Sequence, residues 1–201
     1  MKFNNKTLRA AVKEWLNDTS SAEATYGHIS SWDTSKVTDM SELFKNKIKF
    51  NQPIGDWDVS NVTNMGYMFS DAEAFNQPIG NWDVGNVTNM NNMFSDAEGR
   101  RKGRRKSAFN QDIGNWNVSN VSNMSRMFFD NQAFNQPIGN WDVSNVTNME
   151  SMFDKTDSFN QPISNWDVSN VTNMREIFAQ ATLFNQPIGN WDVSNVTDMS
   201  G

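Results

Sequence analysis

The chain has 201 residues, with 17 Lys and Arg against 23 Asp and Glu, a net charge of −6, one His and no Cys. That length fits one domain or two small ones and can bury a core. The absence of Cys excludes a disulfide framework, a thiolate zinc site and a Cys nucleophile, and the lone His28 excludes any site built on two imidazoles. No stretch approaches the ~18 apolar residues of a membrane span. The first residues, MKFNNKTLRA, lack the apolar core of a signal peptide, so no export signal is expected from them.

Residues 1–25 are predicted to form an N-terminal cap helix and a linker. Leu8, Val12, Trp15 and Leu16 fall on one face of a helix over 7–17. Such a helix would cover the first unit of the array that follows, because the end of a repeat array needs a polar outer face. The Ser/Thr-rich stretch from Asp18 to Thr25 reads as the linker.

A repeat domain fills residues 26–201. Its period is set by Trp32, Trp57, Trp82, Trp116, Trp141, Trp166 and Trp191, spaced by 25, 25, 34, 25, 25 and 25 residues. A fixed period in this range signals stacked units. Phe, Ile, Val and Met residues recur in the same register, so their columns are expected to form the core. Trp57, Trp82, Trp116, Trp141, Trp166, Met65, Met90, Phe69 and Phe94 are the core residues singled out. Within a unit, Trp57 and Val59 alternate with polar neighbours as a short strand does, over about 56–59, with a second extended piece over about 62–64. Met65, Met68 and Phe69 stand at i, i+3 and i+4, which predicts a helical turn over about 65–70.

The segments NVTNMxxMF and FNQPIGNWDVS resemble the repeats of BspA-like surface proteins, leucine-rich-repeat relatives of bacteria and protists that include mycoplasma surface lipoproteins. The resemblance covers about residues 26–201. It implies an α/β repeat: a leucine-rich-repeat-like solenoid of about seven 25-residue coils, with short strands plus a helical turn per coil and an N-terminal helical cap. It also implies a non-enzymatic role in adhesion or protein–protein contact and a preference for the cell surface; no cofactor is expected.

The long Trp spacing carries a nine-residue insertion at 99–107 with a basic run, Arg100, Arg101, Lys102, Arg104, Arg105 and Lys106. This run is the candidate polyanion-binding site and the one route to a nucleic-acid partner, weighed against a solvated loop or a loop docked on the chain's own acidic face. Asp33, Asp58, Asp83, Asp142, Asp167 and Asp192 form a column interrupted by Asn117. The column admits a calcium ladder, but is better explained by Asx turns, which Asn117 also makes. The positions between the two Met columns vary, so Tyr67, Asn91, Asn92, Arg126, Glu150, Arg175 and Glu176 are the candidate contacts for a protein partner. The sequence stops at Met199-Ser200-Gly201 in mid-repeat, which leaves open a longer array or self-association through that last unit.

Overall fold

The computed structural model describes residues 1–96 and 106–201. Asn4 starts the first helix. Its side chain accepts from the N–H groups of Lys6 and Thr7, while its own N–H donates to Thr7 Oγ1 at 2.9 Å. This reciprocal box satisfies donors that a helix start leaves open. Helix α1 runs Asn5–Asn17, and buries Leu8, Ala11, Val12 and Trp15. Leu16, expected on the same face, is 36% exposed.

The expected linker over 18–25 is instead a second helix, α2, Thr19–Tyr26, capped by Asp18 through the Ser21 N–H. The hydroxyls that suggest a loop bond back to the helix backbone instead. Thr19 Oγ1 donates to the Trp15 carbonyl and Thr25 Oγ1 to the Ser21 carbonyl, each four residues back. A 3-10 turn, Ile29–Ser31, leads into the repeats.

The helices join the first repeat through bonds that elsewhere link repeat to repeat. Thr63 N–H donates to the Thr38 carbonyl of the preceding repeat. Thr38 has no preceding repeat, and its N–H donates to Asn5 Oδ1 at 2.8 Å. Phe3 N–H donates to the Asp33 carbonyl, and Trp15 sets its ring edge-on to Trp32 with centroids 5.8 Å apart.

Beyond Ser31 the described residues contain no helix and no strand, only isolated parallel bridges such as Asn64 with Asn89. The predicted α/β solenoid of strands plus a helical turn per coil is therefore corrected. The reason is visible in where the backbone donors go. Met65, Tyr67, Phe69 and Asp71 donate to carbonyls of the next repeat, those of Asn89, Asn91, Met93 and Ser95. Met68, Ser70 and Ala72 donate three residues back, to Met65, Tyr67 and Phe69. A helix needs each N–H to bond four residues back. A strand needs exchange with its neighbour along its length. This segment does neither. Tyr67 and Asp71 also have φ of 58° each, a left-handed backbone foreign to both elements. The spacing of Met65, Met68 and Phe69 comes from consecutive tight turns. The extended pieces expected at 56–59 and 62–64 are likewise closed by turn bonds, Trp57 N–H to Ile54 and Val62 N–H to Val59.

The repeat itself is real, and its apolar columns form the core. Phe44, Phe69, Phe94, Phe128, Phe153 and Phe178 stack face to face, with successive centroids 5.6, 5.7, 5.9, 5.8 and 5.7 Å apart. Each of Trp57, Trp82, Trp116, Trp141 and Trp166 is buried, and each indole N–H donates to an Ile carbonyl one repeat back. A buried indole needs such a partner. Met65 and Met90 are fully buried beside them. In the last repeat Phe178, Phe184, Ile188, Trp191 and Val196 are only partly buried.

Candidate functional site

The variable positions fall into two adjoining rows that run along the stacked repeats. One row holds Gly66, Asn91, Ser125, Glu150 and Arg175, and the other holds Tyr67, Asn92, Arg126, Ser151 and Glu176. The second row is the left-handed position of the repeat, with φ between 50° and 58° at all five residues. Exposure along this row varies: Ser151 is buried, Tyr67 and Glu176 are half-buried and Arg126 is exposed. Arg126 and Arg175 are exposed, while Tyr67, Asn91, Glu150 and Glu176 are half-buried. Asn92, a predicted contact, is only 5% exposed and is withdrawn from the surface. It sits in register between the longer Tyr67 and Arg126.

The rows are held by charge and ring contacts. Arg126 Nη2 lies 3.0 Å from Glu150 Oε1, and Arg175 lies 3.5 Å from Glu176. Asn173 Nδ2 donates to Glu150 Oε2, and Ser151 Oγ to Glu176 Oε2. Lys45 places its ammonium 4.5 Å from the Tyr67 ring centroid and pairs with Glu42, whose hydrogen bond raises the Lys45 pKa. Exposed pairs of this kind contribute about 0–1 kcal/mol each. Their effect is to fix side-chain positions rather than to hold the fold.

The remaining polar columns are occupied by links between and within repeats. Asp58 Oδ1 accepts from the Ser60 N–H at 3.0 Å and from Ser60 Oγ at 2.6 Å. Asp142, Asp167 and Asp192 repeat the pattern, and Asn117 makes the same turn with Ser119. The Ser hydroxyl first, then the backbone N–H, holds the Asp33, Asp167 and Asp192 carboxyls below the usual range. This is the Asx-turn geometry. No group of His, Asp and Glu side chains arranged to hold a metal ion occurs among the described residues. Asn61, Asn86, Asn120, Asn145, Asn170 and Asn195 each donate Nδ2 to a backbone carbonyl one repeat back.

Two spans of the chain, residues 10–103 and 101–201, match the family model described as "Mycoplasma protein of unknown function, DUF285". The chain belongs to this family. No curated protein and no solved structure matches it.

Two features of this DUF285 chain escape the sequence pattern. The first is a buried acidic column. Asp71, Asp96 and Asp130 occupy one register position in three successive repeats and are all buried. Asp96 is 1% exposed, its Oδ2 accepts from the Ser107 N–H at 3.2 Å, and its Oδ1 has no hydrogen-bond partner. Burial, then Asp71 and Asp130, push its carboxyl up to about 6. Lys106 Nζ lies 3.0 Å from both oxygens of Asp130. Lys106 belongs to the basic run and is thus held by the chain's own carboxylate. Arg100, Arg101, Lys102, Arg104 and Arg105 lie outside the described residues. The segments FSDAEA and FFDNQA carry the column in the sequence, but they resemble ordinary loops, and no pattern marks their acids as buried.

The second feature is a cleft of about 710 Å³ between α1 and the first repeat, lined on the helix side by residues between Arg9 and Asn17, among them Val12, Lys13, Glu14 and Leu16, and on the repeat side by Leu43 and Lys47. A smaller cleft of about 370 Å³ adjoins it and shares Leu16 and Lys47. The basic residues near it are visible in the sequence. Their meeting across a groove is not, because it depends on how α1 sits on the repeat.

Proposed function

We propose that this DUF285 chain is a non-enzymatic scaffold for protein–protein contact or adhesion, akin in role to the BspA-like surface repeats, acting through the variable rows. One observation carries the reading. The Trp57, Ile54, Met65 and Phe69 columns each keep one residue type, while the two rows change from Gly66-Tyr67 to Asn91-Asn92, Ser125-Arg126, Glu150-Ser151 and Arg175-Glu176. A stacked array presents such rows as one extended surface. Arg and Tyr, which are favoured at binding hot spots, stand on it at Tyr67, Arg126 and Arg175.

The test uses a photoreactive amino acid placed singly at Tyr67, Arg126 or Arg175, and for comparison at Asn61 or Asn145 on the linking columns. Incubation with intact cells or their surface extract should give a crosslinked protein from the first set and not from the second. Equal labelling from both sets, or none from the first, overturns the proposal.

A further inference from the structure

The cleft beneath α1 has an apolar floor and cationic walls on an acidic molecule. Val12 and Leu43 are buried in its floor, and Leu16 lies open in it at 36% exposure. Lys13 rises from the helix side and Lys47 from the repeat side, both exposed. The adjoining cleft continues the same character with Ile48, 44% exposed, and Lys49. Neither Lys13 nor Lys47 nor Lys49 has an ion pair among the described residues. Arg9 is already bonded to the Ser41 carbonyl and paired with Asp39. The one acid in the lining, Glu14, accepts from the Tyr26 hydroxyl at 3.0 Å and is turned to α2. The groove therefore has unneutralised positive charge beside bare apolar surface, on a chain of net charge −6.

We propose that this groove docks an acidic amphipathic peptide segment of a partner protein, separate from the variable rows. Charge complementarity selects the occupant. Carboxylates on one face of the segment meet Lys13, Lys47 and Lys49, and its apolar face covers Leu16 and Ile48. The larger cleft follows α1 from Arg9 to Asn17, roughly 12 Å at the helical rise, a length that suits about two turns of a bound helix, and the smaller cleft continues past it to Thr19. An anionic bilayer is disfavoured because a plane meets the field of the whole acidic molecule, whereas a short peptide meets the local one.

The probe is a fluorescein-labelled 14-residue peptide of Leu and Glu, with Leu at i, i+3, i+4 and i+7. Its control has the same composition with the Leu pattern scrambled. Anisotropy should show saturable binding of the patterned peptide, weakening as salt rises. The double variant Lys13→Glu, Lys47→Glu should lose at least roughly tenfold in affinity. Leu16→Ser should weaken binding while leaving the salt dependence in place. The lysines are exposed, so the double variant keeps the fold, checked by an unchanged melting curve. Absence of saturable binding, equal binding of the scrambled peptide, or an unaffected double variant overturns the proposal. So does binding to anionic vesicles in place of the peptide.

Discussion

Trp166 donates its indole N–H to the Ile138 carbonyl of the preceding repeat at 3.1 Å, inside the core. This bond ties the apolar column to the backbone and recurs once per repeat. Replacing Trp166 with Phe keeps an aromatic ring but leaves the Ile138 carbonyl without its donor. A buried acceptor left alone costs about 1–3 kcal/mol, and the smaller ring adds a cavity. Urea unfolding of Trp166→Phe should therefore show a clearly lowered midpoint. Trp191 makes the same bond to Ile163 at 3.2 Å but is only partly buried. Trp191→Phe should cost less, and an equal loss at both sites would contradict burial as the cause.

The column to which Trp166 belongs was legible because identical side chains at one period have few explanations other than stacking. The local backbone was not. Met65, Met68 and Phe69 share a face whether the chain turns as a helix or as consecutive tight turns, since both bring residues three and four apart together. The alternation of donors between the next repeat and the same turn leaves no mark on side-chain spacing. Among the variable positions, the sequence places Asn92 at the surface, and the structure buries it. An Asn carries no signal of which longer neighbours flank it in the adjacent repeats. The cleft under α1 was hidden for a similar reason, because the expected linker over 18–25 gave no basis for placing Lys13 opposite Lys47.

Asp96 gives stability a pH dependence of a definite sign. Its folded-state pKa of about 6 lies above the ordinary 3.8. Between those values the folded chain binds more proton than the unfolded chain, so stability falls as pH rises from about 4 to about 6. Above that window the loss is complete, with an upper bound of about 3 kcal/mol. The groups that face Asp96 are Asp71 and Asp130, which raise it, and the Ser107 N–H and Lys106, which lower it. Asp96→Asn keeps an oxygen for Ser107 and removes the buried charge. It should melt higher than the parent at pH 7 to 8 and match it near pH 4. A variant with the parent's full pH slope would show that Asp96 is not the group responsible.

Asp154 offers a related test one register position away. It is buried, its Oδ1 has no hydrogen-bond partner, and burial pushes its pKa up. The same position holds Ser70 and Ser95 in earlier repeats, where Ser95 Oγ bonds Ser70 Oγ at 3.0 Å. Asp154→Ser removes a desolvated carboxylate and should raise the melting temperature at neutral pH. The raised folded pKa means the advantage must shrink as pH falls. A gain that stays constant down to pH 4 would point to a packing effect instead.

Ser151 separates the observed backbone from the strand-and-helix repeat expected from the sequence. It is fully buried with φ of 50°. A β-branched side chain clashes with its own backbone in that region, whereas Gly enters it freely. Ser151→Val should therefore destabilise by about 2 kcal/mol or more, from backbone strain and added volume in a closed site. Ser151→Gly should be close to neutral, because relief of the left-handed strain offsets the lost bond to Glu176 and the added unfolded-state entropy. Were this segment a helical turn, Gly would be clearly destabilising through its poor helix propensity and the lost bond to Glu176, while Val would still add volume to the closed site. The denaturant midpoint of Ser151→Gly thus reads the backbone conformation. A near-parental value matches the tight-turn segment, and a clear loss would restore the helix.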